Sequence, residues 1–133
     1  MSDPANPTRG EHELLLAGVR YRLRPSHQAL LAIEQKTEHS LVELVRLGNA
    51  QALSLRHVGI VAAELIRAGA EPDDSTTRAV HGDRIGELAY EEGVLGVTAR
   101  LTLCLADAAG GGRTASGEAK AAPAMTTETA GVA

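Results

Sequence analysis

Apolar and charged residues alternate along residues 11–24, which is the pattern of two short β-strands. With Ala17 and Gly18 as a two-residue turn, one face of a hairpin pairs Leu16 with Val19, Leu14 with Tyr21 and His12 with Leu23. The opposite face pairs Leu15 with Arg20, Glu13 with Arg22 and Glu11 with Arg24. A shift of one residue would destroy both patterns, so the sequence predicts this register, with Tyr21 directed towards the rest of the domain.

From residue 26 onwards, apolar positions recur every three or four residues, which predicts helices. Serines that can cap a helix precede the first three: Ser26 before a helix to about Lys36, Ser40 before one that Gly48 ends, and Ser54 before one to Ala68. Ser40 and Glu43 have the spacing of a capping box. A fourth helix is predicted over about 77–92 and a fifth over about 94–108. The predicted fold class is therefore α+β, mostly α: a hairpin followed by about five short helices.

The third and fifth predicted helices differ in how their apolar residues are distributed. The third has one apolar stripe, formed by Leu55, Val58, Val61, Ala62, Leu65 and Ile66. The fifth has the expected stripe and, beside it, a second apolar face that includes Leu95, Ala99 and Leu103. A helix that is apolar around most of its girth either lies in the centre of a domain or contacts a partner. We therefore predict that its first face packs on the third helix and that Leu95, Ala99 and Leu103 bind a partner.

The composition changes after residue 109. Residues 110–133 begin with three glycines and contain no leucine, isoleucine or aromatic residue. Such a segment buries too little apolar surface to offset the entropy lost on ordering, which predicts a disordered tail. The predicted organisation is an irregular lead-in over 1–10, one domain over 11–109 and the tail over 110–133.

Charge and composition narrow the classes of partner. Thirteen Lys and Arg against seventeen Asp and Glu give a net charge of −4, and Tyr21 and Tyr90 are the two aromatic residues. This balance argues against nucleic-acid binding, which needs clustered positive charge or stacking aromatics. The basic row Arg20, Arg22 and Arg24 could meet phosphates or an acidic partner, but the pairing with Glu11 and Glu13 supplies a structural reason for two of the three. No run is long enough to span a membrane, and a single cysteine does not indicate an oxidising compartment, so we expect a cytoplasmic protein.

Candidate catalytic and metal-binding residues do not form a convincing set. The five histidines are far apart in sequence, without the spacing of a zinc site. Cys104 lies within the most apolar helix, where cysteines are usually inert packing residues. Glu91 and Glu92 are adjacent on a helix and so point about 100° apart, which does not suit a catalytic pair. We expect no enzyme activity, no metal and no cofactor.

Several stretches resemble, in order over residues 6–107, the small family of gene transfer agent and phage tail assembly chaperones that is also labelled as tail tube protein. They are Asn6-Pro7-x-Arg9-Gly10-Glu11, Leu16-x-Gly18-x-x-Tyr21-x-Leu23-Arg24-Pro25-Ser26, Ala29-Leu30-x-Ala32-Ile33-Glu34, residues 37–41, Leu53-Ser54-Leu55, Arg67-Ala68-Gly69 and Glu91-x-Gly93. One departure is Ala17, where the family would have an acidic residue.

The resemblance implies a binding role during tail assembly in the bacterial host cytoplasm. The implied partners are the helical tape measure protein and the tail tube protein. The face formed by Leu95, Ala99 and Leu103 leaves a second copy of this chain open as a further partner. Two alternatives stay open. One is a structural tube component that is retained in the particle. The other, less favoured, is a small DNA-binding regulator, for which the third helix offers only Arg56 and Arg67 as basic residues.

Overall fold

The structure is a computed structural model that describes residues 11–120; the predictions for residues 1–10 and 121–133 lie outside this range. It confirms the mostly helical α+β class. The elements in chain order are β1 (His12–Leu16), β2 (Val19–Leu23), α1 (His27–Thr37), α2 (Leu41–Asn49), α3 (Leu55–Gly69), α4 (Ser75–Arg78), α5 (Gly82–Glu92) and α6 (Val94–Ala109).

The hairpin has the predicted register over five pairs, while the predicted sixth pair, Glu11 with Arg24, lies outside the two strands. The paired residues are His12 with Leu23, Glu13 with Arg22, Leu14 with Tyr21, Leu15 with Arg20 and Leu16 with Val19. Ala17 and Gly18 both have positive φ, 50° and 79°, as a tight turn between twisted antiparallel strands requires. Leu14, Leu16 and Leu23 of the inner face are buried, whereas Val19 beside the turn is exposed. Tyr21 packs against the core, which confirms its predicted direction.

The arginines of the outer hairpin face bind carboxylates. Arg20 donates to Glu13 across the strands at 3.0 Å, and Arg22 lies 3.5 Å from Glu71 in the loop after α3. Glu13 thus stands opposite Arg22 in the ladder but also bonds diagonally to Arg20. Neighbouring carboxylates thus give Arg20 and Arg22 of the basic row a structural role.

The three predicted serine caps are present. Each hydroxyl accepts a hydrogen bond of 3.1 Å from a backbone amide three residues on: Ser26 from Ala29, Ser40 from Glu43 and Ser54 from His57. A cap of this kind stabilises a helix by about 1 kcal/mol. Within the predicted capping box, the Glu43 carboxylate bonds Arg46, three residues further along the same helix.

The single fourth helix predicted over about 77–92 is wrong, because the structure divides it into α4 and α5. The break lies at residues 79–81, where Arg67 of α3 donates to the Val80 carbonyl. Gly82 then starts α5 at its closest approach to α3: a β-carbon built on Gly59 would lie 2.6 Å from the Gly82 carbonyl oxygen. Tertiary contacts with α3 therefore occupy the backbone that a continuous helix would need.

Helix α6 packs most extensively on α2 and makes smaller contacts with α3, α5 and β1. The predicted packing on the third helix is thus present but secondary. Gly48 of α2 explains the preference, since a β-carbon there would collide with the Thr102 side chain. The missing side chain lets the two helices approach, and the buried face of α6 is formed by Val97, Thr98, Leu101, Thr102, Cys104 and Leu105.

Residues 110–120, which composition assigns to the tail, make several contacts with the domain. Arg113 and Ala119 form an antiparallel bridge, and Arg113 also binds Asp107 through its Nε at 3.0 Å. The His27 amide donates to the Ala115 carbonyl at 2.9 Å. This segment is held by backbone hydrogen bonds and an ion pair rather than by apolar side chains. Its composition therefore gave no sign of these contacts.

Candidate partner-binding surface

The three residues predicted to bind a partner share one exposed face of α6. Leu95 is 67% exposed and Leu103 59% exposed, and Ala99 between them is also exposed. Their spacing of four residues places them in a line about 12 Å long, at 1.5 Å of rise per residue. We call this line the α6 stripe. The structure brings its members together; their role in binding stays a prediction.

The fold positions the α6 stripe by burying the opposite side of the same helix. Leu101 and Leu105 lie in the core, and the Thr102 hydroxyl donates to the Thr98 carbonyl at 2.7 Å, which satisfies a polar group against α2. Gly93, with φ of 118°, turns the chain from α5 into α6. With its inner side fixed, α6 presents the stripe to solvent as a rigid surface.

A second surface, which the sequence reasoning missed, lies between α3 and α5. It is a groove of about 790 Å³, lined by Leu55, Arg56, Ile60, Gly82, Asp83, Gly86, Glu87, Tyr90 and Glu91. We call it the α3–α5 groove. The available signal was Gly82 and Gly86, two glycines spaced by one helical turn, which leave one side of α5 without side chains.

The candidate catalytic residues lie in different surroundings: Cys104 is buried within α6, and Glu91 and Glu92 are at the end of α5. Burial raises the pKa of the Cys104 thiol to about 12, so the nucleophilic thiolate does not form near neutral pH. Glu91 and Glu92 are exposed, and the Glu92 carboxylate accepts a bond from the Ala17 amide at 3.3 Å. Within residues 11–120, no three His, Cys, Asp or Glu residues lie close enough together to hold a metal ion.

Two of the histidines are neighbours in the fold. The rings of His39 and His57 meet edge to face, with centroids 5.2 Å apart. The pKa of His57 is lowered, first by burial and then by the positive charges of His39 and Arg56. Both side chains are partly exposed, and their contact joins the connection between α1 and α2 to helix α3.

Residues 11–120 therefore form a small, mostly helical protein with a β-hairpin, whose last helix leaves an apolar face open to solvent. A family model described as phage tail tube protein, GTA-gp10, matches residues 9–111. The chain belongs to this family, in agreement with the resemblance seen in its sequence.

The other comparisons add no relatives: no curated protein and no solved structure matches the chain at a significant level. Among the helices of residues 11–120, none has the length and apolar character needed to cross a bilayer.

Proposed function

We propose that this protein is a non-catalytic tail assembly chaperone that binds a helical segment of the tape measure protein in the bacterial cytoplasm. The observation that carries the proposal is the α6 stripe, with Leu95 and Leu103 more than half exposed on a helix whose other side is core. The membership in a phage tail family supplies the assembly context.

The α6 stripe suits a helical client. An amphipathic helix buries its apolar side chains against an apolar helix face or groove, with contacts spaced by three or four residues. Ala99, between the two leucines, is small enough to let a second helix approach closely. Covering each leucine would contribute roughly 1.5–3 kcal/mol, so the two can anchor a contact that the surrounding polar residues then make specific.

The alternative function is a tail tube component that is retained in the particle, which the description of the family as a tail tube protein favours. Tube subunits are normally β-rich and form rings through their sheets. Residues 11–120 contain a single two-stranded sheet and six helices, which supports the chaperone over the tube. Stoichiometric copies of this protein in purified particles would support the tube component instead.

The test of the chaperone is co-expression with the tape measure protein, followed by pull-down of the complex. We expect Leu95→Glu with Leu103→Glu to remain folded and to lose the complex, because both charges would have to be buried in it. The matched control is Leu31→Glu on α1, an exposed leucine outside the α6 stripe, which should retain the complex.

Circular dichroism and thermal melting separate the outcomes. A double variant that unfolds would show that this face belongs to the core. A double variant that folds and still binds the tape measure protein would contradict the α6 stripe as the binding surface. Light scattering of the purified protein would show whether a second copy covers the stripe when the client is absent.

A further inference from the structure

We propose that the α3–α5 groove is a second docking site, which takes a segment of a partner protein that carries apolar side chains next to lysine or arginine. The site is separate from the α6 stripe, since all of its lining residues belong to α3 and α5. The proposal does not depend on which partner occupies the α6 stripe.

The floor of the groove is formed by backbone and one aliphatic side chain. Gly82 and Gly86 present no side chain, and Ile60 of α3 is half-buried beneath the opening. Leu55 and Tyr90 stand at the walls, 45% and 68% exposed. Two large apolar side chains are thus left in solvent beside a depression of about 790 Å³, which lies within the usual range for binding pockets of roughly 300–1,000 Å³.

One wall of the groove is acidic. Asp83, Glu87 and Glu91 follow each other at four-residue spacing, which places three carboxylates on the same side of α5. Within residues 11–120, one carboxylate of this row forms an ion pair: Glu87 binds Arg84 at 2.9 Å. Arg56 is the one basic residue in the lining. The excess of negative charge favours a cationic occupant.

Charge and size together define that occupant. A phosphate-bearing ligand would be repelled by the carboxylates, and residues 11–120 offer no ligand cluster for a metal ion. The apolar floor and walls require apolar side chains, and the volume has room for more than one of them. A polypeptide segment with aliphatic residues on one side and basic residues along the edge satisfies these conditions.

The test uses a synthetic amphipathic peptide of roughly 15 residues, with leucines on one face and lysines beside them. A matched peptide carries glutamate in place of each lysine. Binding to the full chain is measured by fluorescence anisotropy and by amide chemical shifts. We expect the basic peptide alone to bind, with shifts centred on Ile60, Gly86 and Tyr90, and with affinity that falls as salt is added.

Gly86 provides a matched pair of variants. A β-carbon at this position would lie 3.7 Å from the Gly59 Cα, which is an ordinary contact, so Gly86→Ala should fold and bind the basic peptide. Gly86→Leu should fold but fill the groove and abolish binding. Asp83→Asn with Glu91→Gln should weaken binding about five- to tenfold, as expected for two exposed ion pairs.

The remaining outcomes decide against the proposal. Equal binding of both peptides would show that charge does not select the occupant. Shifts centred on α6, or loss of binding in the Leu95→Glu, Leu103→Glu variant, would place the peptide on the α6 stripe instead. Self-association that Gly86→Leu abolishes would identify a second copy as the occupant. Tighter peptide binding after deletion of residues 1–10 or 121–133 would identify the chain's own segment as the occupant.

Discussion

Helix α3 and helix α6 are nearly equal in length, 15 and 16 residues, and both are rich in aliphatic side chains. Nine residues of α3 are buried, and its neighbours are α1, α4, α5, α6 and β2. Six residues of α6 are buried, and its open side presents Leu95 and Leu103 to solvent. One helix is enclosed by the domain, whereas the other forms part of its surface.

The two helices differ in whether other parts of the domain contact their side chains. Glu64 of α3 is buried, yet its carboxylate binds Lys36 of α1 and Arg67 one turn along its own helix. The domain thus satisfies a polar group of α3, while the open leucines of α6 are left uncovered by residues 11–120. A small domain buries a smaller fraction of its surface than a large one, so some apolar side chains stay exposed. A second apolar helix therefore has surface to offer to a partner.

The largest expected difference in stability comes from truncating one leucine on each helix to alanine. Leu65 of α3 is fully buried, so Leu65→Ala should lower the free energy of unfolding by roughly 2–5 kcal/mol. Leu103→Ala on α6 should change it by less than about 0.5 kcal/mol. Urea denaturation of both variants measures the difference. Similar losses for both would mean that the open side of α6 is covered in solution.

A smaller effect is expected from adding one methyl group to a glycine on each helix. At Gly59 of α3 the new β-carbon would press on the Gly82 carbonyl, so Gly59→Ala should cost roughly 1–3 kcal/mol. At Gly96 of α6 the β-carbon would meet no atom within 4 Å, so Gly96→Ala should stabilise the protein by up to about 1 kcal/mol. The melting temperatures of the two variants should shift in opposite directions from that of the wild type. Shifts in the same direction would contradict the difference in packing between α3 and α6.

The smallest expected effect is a dependence of stability on pH, which arises from His57 of α3. Because the pKa of His57 is lowered in the folded protein, the unfolded chain takes up the proton more readily. Stability should therefore be highest above the unfolded pKa of about 6.5 and decline as the pH falls through and below it. Urea midpoints measured across this range should decline less in His57→Gln. Leu103→Ala should keep the wild-type profile, since α6 carries no histidine.

The features that depend on neighbouring residues were readable from the sequence. Strand alternation and the Ala17-Gly18 turn specified the hairpin register, and Tyr21 points inwards as the parity of the strand requires. The serine caps mark the starts of α1, α2 and α3, because the capping bond spans only three residues. The exposed face of α6 also followed from periodicity, since the core can cover one side only.

The features that depend on distant residues were not readable. The break before Gly82, where Arg67 binds the Val80 carbonyl, and the α3–α5 groove, where Gly59 lies close to Gly82 and Gly86, both involve residues more than ten positions apart in the chain. The main neighbour of α6 is α2 because Gly48 admits Thr102, a pairing that no local pattern encodes. The contacts of residues 113–119 use backbone groups, which every sequence possesses, and one ion pair between the side chains of Arg113 and Asp107.

Asp107 joins parts of the chain that are far apart in sequence. His12 lies 3.2 Å from its carboxylate, Gly112 donates to its carbonyl at 3.1 Å, and the Lys120 amide bonds Gly112 at 3.0 Å. The first and last residues of the 11–120 range are therefore linked through a short series of contacts. A short linker from residue 120 to residue 11, with new termini in the loop at residues 71–73, would give a circular permutant that keeps every helix and strand intact. For the same reason, fusion partners attached directly at residues 11 and 120 would crowd one corner.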